Sequence, residues 1–416
     1  MKLWILQTGE PLHCDQGSPR PMRAMNLADA MLDRGHDVTI LSSDYSHQKK
    51  KHRTGKFSIF VLGDRFRIIL FPSPGYAKNL SLSRIFDHIV LSLRLSVYLR
   101  SFNESPPDCI FIGYPPIETS FVMTCWASSS RIPTILDVKD LWPDLFLDPF
   151  PCFLRPFVRF CFLPWFLMSR FCYRKATALS SMSLPYLRHV ATKINRKISN
   201  LDSVNPLTAR SQDVPSEEYQ DALSWWENHG VFNDKRPRFI FVGTFMSVFD
   251  FEPIRIAAIK LLENHKDCQF VICGSGGSHQ EVINCFKGLP NCVLPGWINL
   301  PQLQVLSDFS TASLVPYRCI ENFTINIPNK VVDSLRLGLP ILTSLTGSVQ
   351  ALVEENLVGF CYSAYPNREL YSCILQLLAD DGLQSSMSNR ARALYEKSFD
   401  YDKIYSDLCR TIEHFA

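Results

Sequence analysis

One short stretch combines charged side chains with a helix start and a buried strand. Residues 326–341 read NIPNKVVDSLRLGLPI. Pro328 suits the first turn of a helix and Gly338 its end, and an apolar strand follows. Lys330 therefore falls in the first turn, where the helix dipole disfavours a cation by a few tenths to about 1 kcal/mol. A bound anion would offset that cost, whereas a solvated pair with Asp333, three residues on, is the alternative.

The loop after the first predicted strand also has the composition of an anion site. Gly17 and Ser18 precede a helix that is predicted to start near residues 19–21. A small turn at a helix N-terminus presents free backbone N–H groups and the positive end of the helix dipole. Arg20 and Arg23 would add charge. An ordinary loop with solvated arginines is the alternative.

Polar residues follow another predicted strand, in the sequence LDVKDLWPDLF at 136–146. Lys139 and Asp140 stand where that strand ends, and charged side chains at a buried strand end usually have a partner. They are therefore candidates for contact with a ligand. The alternative is an aspartate cap beside a Trp142 that belongs to the core.

Small residues end several strands of the second half. Gly243 and Thr244 end the first of them, Gly274 follows the next, and Trp297 follows a third. Compact turns of this kind suit a phosphate, and the indole ring could contact a base. The glycines lack the GxGxxG spacing and the later acidic residue of a dinucleotide fingerprint, so a nicotinamide or flavin enzyme is poorly supported.

The elements that position these residues alternate between short apolar strands and amphipathic helices. This pattern predicts an α/β fold with two Rossmann-like domains, each a doubly wound parallel sheet, that face a central cleft. The predicted domains are 1–200 and 237–396, joined by a linker at 201–236, with a helix at about 397–416 expected to pack back on the first. The predicted strands are 2–8, 37–43, 108–114, 133–140, 176–183, 238–244, 267–276, 291–297, 311–317, 339–344 and 358–363.

Composition narrows the classes of protein. The chain has 416 residues, of which 46% are hydrophobic and 20% charged, and this favours two globular domains over a disordered chain. Residues 1–200 carry 26 Lys/Arg against 15 Asp/Glu, whereas the rest carries 17 against 25, so the first half favours an anionic surface or ligand.

The 14 cysteines show no CxxC pair and no Cys/His ligand spacing. We therefore expect a reduced, cytosolic protein without a structural metal site, and the opening MKLWILQT reads as a strand rather than a secretory signal.

Residues 149–175 form a basic, aromatic segment, PFPCFLRPFVRFCFLPWFLMSRFCYRK. Its longest uncharged run, 160–169, is far shorter than the ~20 residues that span a bilayer. An amphipathic, cationic element in an anionic membrane interface is the favoured interpretation, and core helices with a dimer surface are the alternative. No groove-reading motif indicates nucleic acid. The candidate membrane-associated residues are Arg155, Arg159, Trp165, Arg170, Arg174 and Lys175.

In the order and spacing of its motifs the chain resembles bacterial GT-B glycosyltransferases of family 4, in the branch that builds O-antigen and capsule repeat units. The resemblance covers nearly the whole chain. It implies a nucleotide-sugar donor held mainly by the C-terminal domain and an acceptor held by the N-terminal one. It also implies retention of anomeric configuration without a metal ion or other cofactor. The motifs that carry it are RGHDVTILSSDYSH (34–47), YPPIETSF (114–121), ILDVKDLWPD (135–144), FVGTF (241–245), CGSGG (273–277) and IPNKVVDSLRLGLPI followed by EENLVGF (354–360).

The resemblance implies roles for the candidate donor residues. Asp333 matches the acidic residue that binds the ribose hydroxyls, and Lys330 matches the lysine that approaches the diphosphate. Gly17 and Ser18 match the N-terminal loop near the donor phosphates. Trp297 lies where the base is usually held.

Other positions match or depart from the family pattern. Lys139 and Asp140 match the position that contacts the transferred sugar. Ile325 stands where a second acid is common, Ser275 stands where Asp is common, and the Arg and Lys that often follow the FVG strand are absent. More of the diphosphate charge would then fall on Lys330, Arg20, Arg23 or Arg318.

The function that the resemblance implies is transfer of a hexosyl or N-acetylhexosaminyl group from a nucleotide-sugar, expected to be UDP-linked. The acceptor is expected to be a polyprenyl-diphosphate-linked saccharide of O-antigen or capsule biosynthesis, at the inner face of the cytoplasmic membrane. The departures keep an alternative open, a catalytically weak or inactive subunit that binds nucleotide-sugar and supports an assembly complex. A nucleotide-sugar epimerase of related architecture is a third option.

Overall fold

The structure is a computed structural model that describes residues 1–17, 19–79, 81–210, 213–363 and 369–415. The chain divides into two compact units. One consists of Met1–Ala209 with Tyr401–Ala416, and the other of Arg210–Asp400. The C-terminal helix therefore belongs to the first unit, together with the N-terminal half of the chain.

Short strands and helices alternate through both units. The strands are β1 (Lys2–Leu6), β2 (Asp37–Ser43), β3 (Tyr45–Ser46), β4 (Lys51–His52), β5 (Ser58–Gly63), β6 (Phe66–Phe71), β7 (Cys109–Tyr114), β8 (Thr134–Val138), β9 (Ala178–Ser181), β10 (Ser203–Val204), β11 (Arg238–Val242), β12 (Gln269–Cys273), β13 (Cys292–Gly296), β14 (Ala312–Val315), β15 (Ile341–Thr343) and β16 (Gly359–Cys361). The helices are α1 (Arg23–Asp33), α2 (Leu82–Ser101), α3 (Ile117–Ser129), α4 (Arg155–Cys161), α5 (Leu163–Lys175), α6 (Leu184–Lys193), α7 (Ser216–Glu227), α8 (Glu252–Glu263), α9 (His279–Phe286), α10 (Leu300–Asp308), α11 (Glu321–Thr324), α12 (Asn329–Arg336), α13 (Ser348–Glu355), α14 (Leu370–Leu378), α15 (Asp381–Ser398) and α16 (Tyr401–Glu413).

The first unit is built on an eight-stranded sheet in the order β10-β9-β8-β7-β1-β2-β6-β5. Its strands are parallel except for the edge strand β5, which pairs antiparallel with β6. Central strands such as β7 are buried at every residue, which explains their continuous apolar sequence. Because strand order reverses between β1 and β7, the loops that follow these two strands flank the crevice where ligands of such sheets bind.

The second unit is built on a six-stranded parallel sheet in the order β13-β12-β11-β14-β15-β16. Its core contains a group of phenylalanines on β11 and in the loop behind it, with Phe241 and Phe245 almost completely buried. Strand order reverses between β11 and β14, so the loops after these strands flank the second crevice. Both sheets therefore have the doubly wound topology that the alternating elements predict.

Three features differ from the sequence prediction. Helix α1 begins at Arg23, later than residues 19–21, and the hairpin of β5 and β6 was not predicted at all. Residues 201–236 are not a separate linker. Their N-terminal part adds β10 to the first sheet, whereas α7 belongs to the second unit, where Trp226 is fully buried and donates to the carbonyl of Gln302 at 2.8 Å. This apolar face of α7 is hard to recognise in a sequence that looks polar overall.

Candidate functional site

The loops after β11 and β14 are tied together beside the point of strand reversal. The Asp250 N–H donates to the carbonyl of Pro316 at 2.8 Å, and the Arg318 N–H donates to the carbonyl of Val248 at 2.8 Å. A β-bridge joins Phe249, in the loop after β11, to Tyr317, in the loop after β14. These bonds give the crevice a defined wall, although it is made from two loops that lie far apart in sequence.

The glycines at the strand ends allow close backbone approach. The Gly243 N–H donates to the carbonyl of Cys273 at 3.0 Å, and the Gly274 N–H donates to the carbonyl of Gly296 at 2.7 Å. A Cβ on Gly274 would lie 1.9 Å from the Gly243 carbonyl oxygen. Both N–H groups are thus used between neighbouring strand ends. These two N–H groups are therefore occupied, because the sheet hydrogen bonding continues one residue beyond each strand, and the suitability of the turns for a phosphate stays a prediction.

Lys330 lies where this strand end meets helix α12. Its ammonium donates to the Val242 carbonyl at the end of β11, and Nζ lies 4.3 Å from the centre of the Phe241 ring and 5.3 Å from that of Phe249. A Cβ on Gly243 would lie only 1.8 Å from Nζ. The glycine therefore provides the space that holds the ammonium at the carboxyl edge of the sheet, in the first turn of α12 as predicted.

Asp333 lies one turn further along α12. Burial raises the pKa of Tyr317 well above its ordinary value, and the Asp333 carboxylate raises it further, so these two side chains are neighbours. Tyr317 follows β14, which places Asp333 beside the loop at the strand reversal. The structure thus brings Lys330 and Asp333 to one edge of the sheet, and the proximity of Tyr317 to Asp333 was not predicted from the sequence.

The remaining candidate residues of this unit lie around that edge with different exposures. Thr244 is exposed after β11, and Trp297 is 65% exposed after β13. Arg318 is exposed as well, with Nε donating to the Ser247 carbonyl at 3.1 Å and one terminal nitrogen 3.9 Å from Asp250. A partly exposed arginine of this kind is able to reorient toward an anion.

In the first unit, Lys139 lies at the predicted strand end but is engaged by other side chains. Its ammonium donates to Gln7 Oε1 at 2.7 Å and to the carboxylate of Glu10. The second oxygen of Glu10 accepts from the Ala24 N–H at 2.9 Å. An acidic side chain of the protein thus occupies the N-terminus of α1, where the sequence suggested a bound anion, and Asp140 lies half-buried next to Lys139.

Arg23 has a structural role and does not extend toward a ligand. Its side chain is completely buried, and Nε lies 3.4 Å from the equally buried carboxylate of Asp137. The Ser180 hydroxyl donates to the other oxygen of Asp137 at 2.6 Å. The expected contribution of Arg23 to anion binding is therefore wrong. Arg20 and Gly17 are exposed in the preceding loop, and Ser18 lies outside the described residues.

The basic, aromatic segment forms α4 and α5 and exposes a large apolar surface. Of its candidate residues, Trp165 is half-buried and donates to the buried carboxylate of Glu118 at 2.7 Å, so it belongs to the packed part of the segment. Arg159 covers the Phe166 ring at 4.7 Å. Arg155 is half-buried, whereas Arg170, Arg174 and Lys175 are exposed. The exposed apolar side chains are Phe150, Phe153, Leu154, Phe157, Phe160, Leu163 and Leu167.

None of the helices described combines the length and apolar character that a membrane crossing requires. In the described part of the chain, no three His, Cys, Asp or Glu side chains lie close enough together to hold a metal ion.

Both units match glycosyltransferase families. Residues 22–198 match the family "Glycosyl transferase 4-like domain", and residues 236–380 match "Glycosyl transferases group 1". Together with the two doubly wound sheets, these matches place the chain among the GT-B glycosyltransferases. A curated relative, the alpha-D-kanosaminyltransferase of Streptomyces kanamyceticus, is 23% identical over 171 residues. That similarity spans 40% of this chain and 42% of the relative.

Solved structures resemble the whole chain at low sequence identity. Sucrose-phosphate synthase from Thermosynechococcus elongatus has a TM-score of 0.71 at 12% identity and covers 99% of this chain and 98% of its own. WaaG, a glycosyltransferase involved in lipopolysaccharide biosynthesis, has a TM-score of 0.66 at 13% identity, with 99% of both chains covered. HepE of Anabaena, solved in complex with UDP, has a TM-score of 0.62 at 12% identity, again with 99% of both chains covered. These similarities confirm the predicted fold class.

Proposed function

We propose that the protein transfers a sugar from a nucleotide-sugar, UDP-linked, to a polyprenyl-diphosphate-linked saccharide of O-antigen or capsule biosynthesis, with retention of configuration. The observation that carries this proposal is the position of Lys330 and Asp333. Both project from one helix at the strand reversal of the second sheet, the place where doubly wound sheets bind nucleotides. The structures of HepE with UDP and with UDP-glucose support a nucleotide-sugar donor for this fold.

In this proposal Lys330 stabilises the negative charge of the departing nucleoside diphosphate. A positive group that is already in place when the bond breaks lowers the barrier without reorganisation. Asp333 accepts hydrogen bonds from the ribose hydroxyls. No metal ion or other cofactor takes part in this scheme.

A donor screen followed by a transfer assay tests the proposal. UDP-, GDP- and dTDP-sugars are added to the full chain, and the ligand that binds the folded state raises the midpoint of thermal unfolding. Transfer from that donor to a polyprenyl-diphosphate-linked saccharide is then followed by nucleoside diphosphate release, and the anomeric configuration of the product is read by NMR. Lys330→Met is expected to lower turnover by roughly 100-fold or more, in the range seen when one preorganised donor is removed.

The exposed Lys287, on the same unit, provides a matched control. Lys287→Met removes the same charge and should leave turnover unchanged. Equal turnover of Lys330→Met and the parent would refute the assignment of Lys330. Donor binding without turnover on any lipid-linked acceptor would favour the assembly subunit instead.

We also propose that the apolar surface of α4 and α5 rests on the inner face of the cytoplasmic membrane. Phe153 and Phe157 are 80% and 67% exposed, and the segment carries basic residues but no acidic ones. Burial of one such ring contributes about 1.5–3 kcal/mol, and the arginines are attracted to anionic headgroups. Phe157→Asp should therefore weaken co-sedimentation with phosphatidylglycerol vesicles by at least roughly tenfold. The same change at Phe232, 48% exposed on the second unit, should have no effect, and equal losses would contradict the proposal.

A further inference from the structure

A second group of cations lies in the first unit, at the carboxyl end of its sheet. Lys50 follows the short strand β3, and Arg84 lies in the first turn of α2. Both pack on the ring of Tyr76, with Lys50 Nζ 4.5 Å and the Arg84 guanidinium carbon 5.5 Å from its centre. The guanidinium carbon of Arg84 also lies 4.7 Å from the centre of the Trp142 ring. Aromatic rings thus hold two positive charges in one small region.

No carboxylate neutralises this pair among the ion pairs of the described residues. Lys50 donates to the side-chain oxygen of Asn79 at 2.6 Å, and one terminal nitrogen of Arg84 donates to the carbonyl of the same residue at 2.9 Å. The Nε atom of Arg84 is buried and has no hydrogen-bond partner in the described ranges. Burial and the charge of Arg84 lower the pKa of Lys50, as expected when two cations are held together.

Two acidic side chains on α2 and α3 have other hydrogen-bond partners. Asp87 accepts from the Gly75 N–H at 2.6 Å, and Glu118 accepts from Trp165 at 2.7 Å and lies 3.7 Å from His88. Neither carboxylate forms an ion pair with Lys50 or Arg84 among the ion pairs of the described residues. Helix α2 also has no acidic residue in its first turn, so the positive end of its dipole adds to the two cations.

His47 completes the group as a neutral hydrogen-bond donor. Burial, followed by the charges of Arg84 and Lys50 and by His88, lowers its pKa to about 3, so the ring is neutral near pH 7. Its Nδ1 lies 2.6 Å from the Tyr76 hydroxyl and 3.4 Å from Lys50 Nζ. An ammonium can only donate, so Nδ1 is the acceptor and the ring proton resides on Nε2.

We propose that Lys50, Arg84, His47 and the first turn of α2 bind a phosphate or diphosphate group. The proposal rests on the proposed function, in which the diphosphate of the lipid-linked acceptor is the occupant. A dianion would satisfy the buried Nε of Arg84 and remove the repulsion between the two cations. The prenyl chain attached to that diphosphate would contact exposed apolar side chains, because Leu82 and Phe86, on the same end of α2, are 81% and 58% exposed.

Calorimetry of the full chain with inorganic pyrophosphate tests the site, with UDP present at saturation to block the donor site. Each of Arg84→Gln and Lys50→Met is expected to weaken pyrophosphate binding by roughly 10- to 100-fold, the effect of one lost hydrogen bond to a charged group. Arg94→Gln is the matched control, because this exposed arginine lies on α2 but away from the cluster and donates to the Pro72 carbonyl. A ¹⁵N spectrum of the histidine rings should show His47 shifting when pyrophosphate is added to the parent.

The outcomes separate this site from the donor site. Lys330→Met should leave pyrophosphate binding under these conditions unchanged, and Arg84→Gln should leave nucleotide binding unchanged. Loss of pyrophosphate binding in Arg84→Gln supports the anion site even if no sugar transfer is found. Unchanged pyrophosphate binding in both cluster variants, an equal loss in Arg94→Gln, or no pyrophosphate binding by the parent overturns the proposal.

A last comparison distinguishes the sources of the anionic group. A short prenyl diphosphate should bind more tightly than pyrophosphate, and this gain should remain dependent on Arg84. If Arg84→Gln instead retains prenyl diphosphate affinity but loses binding to phosphatidylglycerol vesicles, a lipid headgroup is the occupant and the assignment to the acceptor is overturned.

Discussion

Gly243→Ala should separate the donor site from the stability of the second unit. The new Cβ would lie 1.8 Å from Lys330 Nζ and 3.0 Å from Cε, whereas ordinary contacts begin at 3.4 Å. The atoms in the way belong to the end of a flexible side chain, so the lysine must withdraw while the backbone stays in place. The ammonium then leaves the Val242 carbonyl and the Phe241 ring, which hold it at the strand end in the parent protein.

Two magnitudes follow from this geometry. Gly243 has φ of +153°, and a side chain in this region of backbone space costs about 1–3 kcal/mol. This cost lowers the free energy of unfolding but is small enough to leave most of the protein folded. The loss of one charge-assisted hydrogen bond to a diphosphate costs about 1.5–3 kcal/mol, so nucleotide affinity should fall roughly 10- to 100-fold.

Urea unfolding and calorimetric titration with UDP measure the two effects separately. Gly277→Ala is the control, because a Cβ at this exposed glycine meets no atom within 4 Å and Gly277 does not have a positive φ. Its stability should change by less than about 0.5 kcal/mol and its nucleotide affinity not at all. Parental UDP affinity in folded Gly243→Ala would refute the reasoning. It would mean that the position of the Lys330 ammonium at this strand end does not matter for binding of the diphosphate.

Two further predictions concern stability. Arg23→Met leaves the buried Asp137 without its cation and should lower the free energy of unfolding by about 3–5 kcal/mol, and adding Asp137→Leu should recover part of this loss. A double variant less stable than the single one would contradict this reading. Hydrogen bonds from Arg34 and His36 lower the pKa of Glu413 from 4.5 to about 2, so the stability that this carboxylate contributes is present above pH 4.5 and lost as the pH falls toward 2. Glu413→Gln should therefore lose stability near neutral pH and approach the parent at the acid end, and a deficit that does not change with pH would oppose this.

The parallel strands could be predicted because burial on both faces produces continuous apolar sequence. β7 and β12 are buried at every residue, and each falls inside the predicted strand. The edge strand β5 escaped prediction because its exposed residues include apolar ones, with Val61 73% exposed. Its pairing with β6 depends on a two-residue turn at 64–65 that has no strong turn signal.

The candidate donor site could be located from sequence only to the level of strand ends. Strand order decides which loops meet, and the pairing of β11 with both β12 and β14 cannot be derived from the local pattern. The bonds that occupy the N–H groups of Gly243 and Gly274 are also invisible in the sequence, since each partner lies on a different strand. The contact of Glu10 with Lys139 could not be predicted for the same reason, because the two residues are remote in the chain.

A basic residue in the first turn of a helix is informative only when its surroundings are known. The dipole disfavours such a residue in α1, α2 and α12 alike, and an external anion is one explanation in each case. In α1 two carboxylates of the protein itself take the place of an external anion, because Asp137 pairs with Arg23 and Glu10 accepts from the helix N-terminus. In α2 Arg84 keeps a buried Nε without a partner among the described residues. In α12 a glycine leaves room for the ammonium of Lys330 at the carboxyl end of the sheet. The unfavourable charge alone therefore does not decide between an internal partner and a ligand, and the variants at Arg84 and Gly243 test for a ligand at α2 and α12.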